Sequence, residues 1–387
     1  MKRRSYHVYI ISLILMVLGT FSQVLLISGH IPFFHLSALH PPSTAVITQQ
    51  EEVPEQIRNP IIQEERMRRP AFQTGIIFPQ WGTNAYDTTD SNWKIGLNDI
   101  QTQTGALWIE LPINFYQSSV TSTQVTTTSI TPTPQAVAAG IHEARAMHYH
   151  VFVVPLVSAG GTLTWSGSIQ FSTEQQQQVW FDNYWQALQP YAIAAAQAGA
   201  EQLAIGTEFE KLQYTLPSLW SQLIERVHQV FPGHLTYDMN WSSMYNPIPD
   251  WMSNPLLTAI GVSEYIPLTN TQQKLDPSVL PSLWRANIEK LLDQLALQTH
   301  HPVVVSEIGY RDSAYALYRP WQRDAIAQAE PADPQEQAAA YNAALQDVLA
   351  DPHITGIFFW AWSVPLFQPN WKPAAKVLLK WYTSVYA

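Results

Sequence analysis

Two acidic residues stand where a buried strand would end. The first is Glu307, in Val303-Val304-Val305-Ser306-Glu307-Ile308-Gly309-Tyr310. Three consecutive β-branched residues after Pro302 make a short, fully buried strand of the parallel-sheet type. A buried carboxylate without a partner is strongly unfavourable, so Glu307 caps a turn, pairs with Arg311 or does chemistry. The second stretch has the same form: Leu203-Ala204-Ile205-Gly206-Thr207-Glu208-Phe209-Glu210. Strands so far apart in sequence bring two carboxylates face to face only if both belong to one closed sheet. Such a pair across a cleft is what glycosidic bond cleavage needs. One acid protonates the leaving oxygen; the other attacks the anomeric carbon or activates water.

The elements that must position this pair follow from the apolar patterning. Strands are expected near 74–79, 105–112, 150–156, 202–206, 234–239, 257–262, 302–306 and 355–361. Helices are expected near 92–102, 134–148, 174–199, 217–230, 280–298, 335–350 and 373–384, with a short one near 249–254. Pro302, Pro334 and Pro373 sit at element starts, and Gly199 ends the third long helix. Eight strands alternating with helices predict an α/β fold, a closed (β/α)8 TIM barrel. An open doubly wound sheet would need a glycine-rich loop after the first strand, and Gly75-Ile76-Ile77-Phe78-Pro79 is not one. The long, aromatic loops follow strands: Trp81 to Trp93, Asn114 to Thr133, Ser158 to Thr173, Tyr310 to Asp333. Elaboration at one end is what a barrel with its site at that end shows.

Composition narrows the partners. The net charge is -10 with no basic block in the folded region, which argues against nucleic acid. There are no cysteines, which excludes disulfides, thiolate zinc sites and a cysteine nucleophile. The 15 tryptophans suit a carbohydrate cleft, because sugar C–H faces pack flat on aromatic rings. At the N-terminus, Lys2-Arg3-Arg4 precedes an uncharged run from Val8 to Ile27, long enough to span a bilayer. Residues 1–35 therefore read as a signal-anchor or signal peptide. The domain is then expected on the extracellular face of the membrane or secreted. Residues 36–72, with Pro41, Pro42, Pro54, Pro60 and Pro70, read as a flexible linker, and residues 73–387 as the catalytic domain.

With these stretches in place a resemblance becomes specific. Glu208 and Glu307 end the apparent fourth and seventh strands, as do the acid/base and nucleophile of the retaining glycoside hydrolases of clan A. Within that clan the chain resembles glycoside hydrolase family 113, known for β-1,4-mannanases. The likeness runs from about Gly75 to Tyr382. It rests on Trp180-Phe181 with Tyr184, Ile205 to Glu208, Leu235-Thr236-Tyr237 into Asn240-Trp241, and Ile260 to Tyr265. Ser306 to Tyr310 with Pro320-Trp321, Phe359-Trp360-Ala361-Trp362 and Lys372-Pro373-Ala374 complete it.

The resemblance implies Glu307 as nucleophile and Glu208 as acid, then base; Glu210 is a rival, expected instead in the loop or paired with Lys211. It implies that Tyr265 hydrogen-bonds the nucleophile and that Trp360 floors the sugar subsite, with Trp362, of the same strand parity, a second choice. Asn240 and Trp241 would contact sugar hydroxyls and a ring face. Trp81 and Trp165 would be platforms, and Glu110 and Asn114 would hydrogen-bond sugar. The Asn240-Trp241-Ser242 glycosylation pattern is set aside, since a strand end belongs in the cleft. Departures from the clan are Thr207 where asparagine normally binds the 2-hydroxyl and the lack of an arginine near the end of strand two. Ser166 also stands in place of arginine, and Glu264 in place of aspartate.

No cofactor or metal is expected. His148 and His150 stand at the start of a strand, the end concerned with stability, and no His-Glu-x-x-His is present. Gly160 to Gly167 holds no nucleophile elbow. The expected partner is a polysaccharide or oligosaccharide, and the expected state a monomer. The leading expectation is a retaining hydrolase of β-1,4-linked mannan. The alternatives are a retaining hydrolase of another β-glycan, a glycan-binding barrel without turnover, and an assembly protein reusing the barrel.

Overall fold

The computed structural model describes residues 69, 71–89, 91–160 and 165–386. Of two compact units, Met1–Ile57 and Arg58–Ala387, the described residues belong to the second. The expected membrane segment and most of the expected linker lie outside them. Among the described residues no helix is long and apolar enough to cross a membrane. Packing reaches back before residue 73. The Arg69 guanidinium donates to the carbonyls of Val348, Asp351 and Ile354, at 3.5 and 2.7 Å for the first two. Phe72 is buried. An arginine fork on three carbonyls and a buried ring fix this end of the expected linker to the barrel.

Eight strands form one closed parallel barrel in chain order. They are β1 (Gln73–Ile77), β2 (Trp108–Gln117), β3 (His150–Ala159), β4 (Gln202–Thr207), β5 (His234–Asn240), β6 (Ala259–Glu264), β7 (Val303–Ile308) and β8 (Ile354–Phe359). The expected (β/α)8 barrel is therefore the observed fold. β2 and β3 run several residues beyond expectation. Their extensions carry Asn114, Gln117 and Ser158, polar residues that broke the apolar pattern in the sequence.

Around the barrel lie α1 (Ser91–Thr104), α2 (Pro134–Ala146), α3 (Glu174–Ala198), α4 (Pro217–Val230), α5 (Leu280–Trp284), α6 (Lys290–Thr299), α7 (Ala325–Gln328), α8 (Pro334–Val348) and α9 (Pro373–Tyr386). Local chemistry sets their limits. The Thr133 side chain accepts from the Ala136 N–H ahead of Pro134, and Thr173 caps α3 in the same way. Gly199 ends α3 with φ 83, a conformation that suits glycine. The single helix expected over 280–298 is interrupted by a π turn at Arg285–Glu289.

Two apolar clusters divide the structure. The outer one, between sheet and helices, takes the largest aromatics: Trp93, Trp180, Trp220 and Trp284 are fully buried there. Much of the tryptophan content is thus packing rather than cleft. The inner cluster fills the barrel with Ile77, Trp108, Phe152, Val154, Ala204, Ala259, Val304 and Phe358.

Candidate active site

Strand alternation breaks where the two acids stand. In β7, Val303, Val305 and Ile308 face the outer cluster and Val304 the inner one. Two residues, Ser306 and Glu307, therefore separate outward Val305 from outward Ile308. The register shifts at this place against both β6 and β8. This bulge lets Glu307 leave the strict period of two and join the mouth of the barrel.

β4 shifts register against β5 between Ala204 and Thr207. Ile205 packs outward, and a Cβ on Gly206 would also meet the outer ring of Phe209, at 2.6 Å. Glu208 then takes φ 55, a left-handed backbone that costs a glutamate on the order of 1 kcal/mol. Its N–H donates to the Asp238 carbonyl at 2.7 Å, which holds the turn.

Each carboxylate has one close donor. Tyr265, one residue beyond β6, donates its hydroxyl to Glu307 Oε1 at 2.5 Å. The indole N–H of Trp165, after β3, donates to Glu208 Oε2 at 2.5 Å. Trp165 is 39% exposed, so it offers a ring face as well as a donor. Arg311 is not the partner of Glu307: it is fully buried and pairs with Glu330 at 2.9 Å. Desolvation pushes the Glu307 carboxyl above its usual range, and the charge of Glu208 pushes it further; Tyr265 and Arg323 oppose this. Desolvation also raises Glu208, against the Trp165 donor and Arg323.

More acids surround the pair. Asp238 on β5 is buried and pushed up to about 8 by desolvation and by the charge of Glu307. Glu264 is pushed up to about 8 by burial, although the Ile266 N–H donates to it at 2.7 Å. Glu110 lies inside β2 rather than at its end, and burial raises it well above the carboxylate range. Gly261 makes room for Asp238: a Cβ there would stand 1.9 Å from Asp238 Oδ1 and 2.8 Å from Ser306 Oγ. Glu110 Oε2 and the Thr207 hydroxyl are buried without a hydrogen-bond partner among the described residues, while the buried Ser263 and Ser306 hydroxyls stand beside Glu208 and Asp238 and favour their ionised forms. A buried acid floor thus lies around two acids that are partly open at the mouth.

The remaining sequence candidates divide. Asn240 is buried and donates its amide to Glu210 at 3.1 Å; Ser242 donates to the same oxygen at 2.6 Å. Glu210 is therefore held by β5, while Lys211 bonds Gln170 instead. The buried Asn240 is a poor glycan acceptor. Trp241 opens the short 3-10 helix Trp241–Tyr245 and packs on Trp321, with centroids 5.6 Å apart. Trp360 borders the inner cluster just past β8. Trp362 does not share its side: it is 4% exposed and packs in the outer cluster, because alternation ends with β8 at Phe359. Trp81 is 46% exposed after β1. Asn114 lies mid-strand and accepts from Ser158 at 3.0 Å. Sequence reasoning gave no role to Arg323 or Asp238, and noted Trp321 only as a landmark.

At the opposite end of the strands, His150 stacks on Trp108 at 5.0 Å and lies 3.2 Å from Glu201, a packing role. One group among the described residues, Asp293, Asp351 and His353, has potential metal-ligand atoms within 4.8 Å of one another. His353 begins the approach to β8, remote from the carboxylate pair.

Many solved structures share the fold, among them the following three. A family 113 β-1,4-mannanase is 20% identical, with a TM-score of 0.68 over 81% of this chain and 99% of its own. The β-mannanase of Alicyclobacillus acidocaldarius is 19% identical, with a TM-score of 0.69 over 81% of this chain and 98% of its own. A family 5 mannosidase from Rhizomucor miehei is more distant, at 11% identity and a TM-score of 0.53 over 81% of this chain and 92% of its own. No curated protein matches the chain. The family model for Glycoside Hydrolase Family 113 matches residues 80–377, a span that contains both carboxylates and every aromatic of the cleft, and the chain belongs to that family.

Proposed function

We propose that the chain hydrolyses β-1,4-linked mannan-type polysaccharide by double displacement, with Glu307 as nucleophile and Glu208 as acid, then base. The observation that carries this is the pair itself: two carboxyls at the ends of β4 and β7, each raised by desolvation, with a tyrosine donating to one and an indole to the other. Likeness to family 113 β-mannanases supports the choice of sugar.

The steps follow from the charges. Glu307 attacks the anomeric carbon as a carboxylate while Glu208 gives its proton to the leaving oxygen, so the C–O bond breaks as the glycosyl ester forms. Glu208, now ionised, takes a proton from water. The water oxygen attacks the anomeric carbon and expels Glu307, which restores both starting charges. Burial suits Glu208 to hold a proton near neutral pH. The Tyr265 hydroxyl favours the ionised form of Glu307. Trp360, Trp241, Trp81 and the Trp165 face supply rings for the sugar, with Asn240 beside them.

The N-terminal segment would hold this domain at the outer face of the membrane or mark it for secretion. Protease accessibility of intact cells, followed by fractionation, tests that placement. Activity is tested with the full chain in detergent on β-mannan, glucomannan, cellulose, xylan and galactan, with products resolved by size over time. Early manno-oligosaccharides support the proposal. Release from another polymer alone replaces mannan with that glycan. No release from any polymer by folded protein removes the hydrolase reading in favour of glycan binding.

A further inference from the structure

The mechanism leaves a buried acid of β5 without a task. Asp238 is 2% exposed, and the charges that act on it are those of other acids, Glu307 and Glu208. Burying a carboxyl there costs free energy that an apolar side chain would not. Packing alone therefore does not account for it.

Its place among the strands does. Leu235, Tyr237 and Met239 face the outer cluster, so alternation turns Thr236, Asp238 and Asn240 inward. Asp238 pairs with Thr207 of β4 on one side and with Gly261 of β6 on the other. Towards β4, its carbonyl accepts the Glu208 N–H at 2.7 Å, the bond that holds the turn where Glu208 takes φ 55. Towards β6, its carboxyl occupies the hole left by the missing side chain of Gly261. A Cβ there would lie 1.9 Å from Oδ1 and 2.7 Å from Cγ. The same point is 2.8 Å from Oγ of Ser306, the residue before Glu307 in the β7 bulge. The carboxyl and the Ser306 hydroxyl thus meet over one glycine. The Thr236 hydroxyl donates to Oδ1 at 3.2 Å and steadies the side chain from its own strand.

β4 and β7 are not neighbours in the barrel; β5 and β6 lie between them. A retaining mechanism needs the two carboxyls at a set separation, so whatever spans β5 and β6 governs it. We infer that Asp238 is a positioning residue, whose carbonyl holds the Glu208 turn and whose carboxyl, lodged over Gly261, holds the Ser306–Glu307 bulge. The inference rests on the hydrolase reading for its effect on turnover, but the structural tie stands without it. Burial pushes the Asp238 carboxyl up to about 8, so it keeps its proton at neutral pH, and asparagine copies it in shape and charge.

The test uses the full chain with Asp238→Ala and Asp238→Asn. One readout is kcat and KM on a manno-oligosaccharide. The other needs no substrate: hydrogen exchange of the Glu208 amide, with the amides of Leu203 and Leu235, paired inside β4 and β5, as reference. Asp238→Ala is expected to lower kcat about 100-fold with KM little changed. It should speed exchange at Glu208 by about 10-fold or more while the reference amides stay protected. Asp238→Asn should return both towards wild type. An unmoved Glu208 amide overturns the inference, and so does exchange that rises equally at all three amides, since that marks loss of the fold as a whole. A raised KM with kcat unchanged marks a substrate contact and also overturns it, as does Asp238→Asn failing to rescue. Selective exchange at Glu208, rescued by asparagine, in a protein that hydrolyses no glycoside sustains the inference and sinks the hydrolase reading. Turnover with an unmoved Glu208 amide does the reverse.

Discussion

The Tyr265 hydroxyl donates to Glu307 Oε1 at 2.5 Å, which ties the residue after β6 to the bulge in β7. The bond leaves Oε2 as the oxygen free to attack. It also favours the carboxylate over the acid, and Glu307 needs that help because burial pushes it the other way.

Tyr265→Phe removes the donor and keeps the ring. Glu307 then holds its proton to higher pH, so the acid limb of kcat/KM is expected to move up, by about one unit. The maximum should fall roughly 10- to 100-fold, since a preorganised donor at the reacting centre is lost. A pH profile of the variant checks both; an unmoved acid limb would show that the bond does not govern ionisation.

The two carboxyl roles separate by product stereochemistry. Glu307→Ala is expected to lose about 10,000-fold in turnover. Azide should occupy the space left by the carboxylate and give the α-glycosyl azide from a β-glycoside. Glu208→Ala should still glycosylate Glu307 when the leaving group is good, such as a dinitrophenolate. Azide should then collect the intermediate as the β-glycosyl azide. Proton NMR of the anomeric products distinguishes the two, and exchanged anomers would exchange the roles.

Trp165 was legible as an exposed ring and not as a donor. Trp165→Phe keeps an aromatic face and deletes the N–H bonded to Glu208. Because that bond favours the ionised form, Glu208 should keep its proton to higher pH and the alkaline limb should rise by about half a unit. A platform role alone predicts a higher KM with the limb unchanged, so the pH profile decides between them.

How far the site was legible follows from periodicity. The barrel, its helices and the positions of Glu208 and Glu307 at strand ends follow from apolar runs with acids behind them, a local signal. The failures lie where alternation breaks. Trp362 was placed beside Trp360 by a period of two that stops at Phe359. Glu210 was expected in the loop or paired with Lys211; it does lie in the loop, but Asn240 and Ser242, thirty residues on, hold it in place of Lys211. Asp238 is one of several polar residues in β5, and nothing local in the sequence sets it apart. Its meaning depends on Gly261 in the next strand, whose missing side chain leaves the carboxyl its space.

The long connection after β7 is held by a buried ion pair with its own energetic signature. Arg311 and Glu330 form a pair whose side chains are 0% and 5% exposed. Arg311→Leu leaves the Glu330 carboxylate buried without its cation and frees the carbonyls of Arg319 and Gln322. The expected loss is about 3–5 kcal/mol of unfolding free energy. Urea denaturation should show it as a lower midpoint with an unchanged slope. The double variant Arg311→Leu/Glu330→Leu removes both charges, so it should recover most of that loss. Its loop would no longer be tied at residues 319–322, and activity should stay low while stability returns. Stability and activity that recover together would show that the staple serves the fold alone.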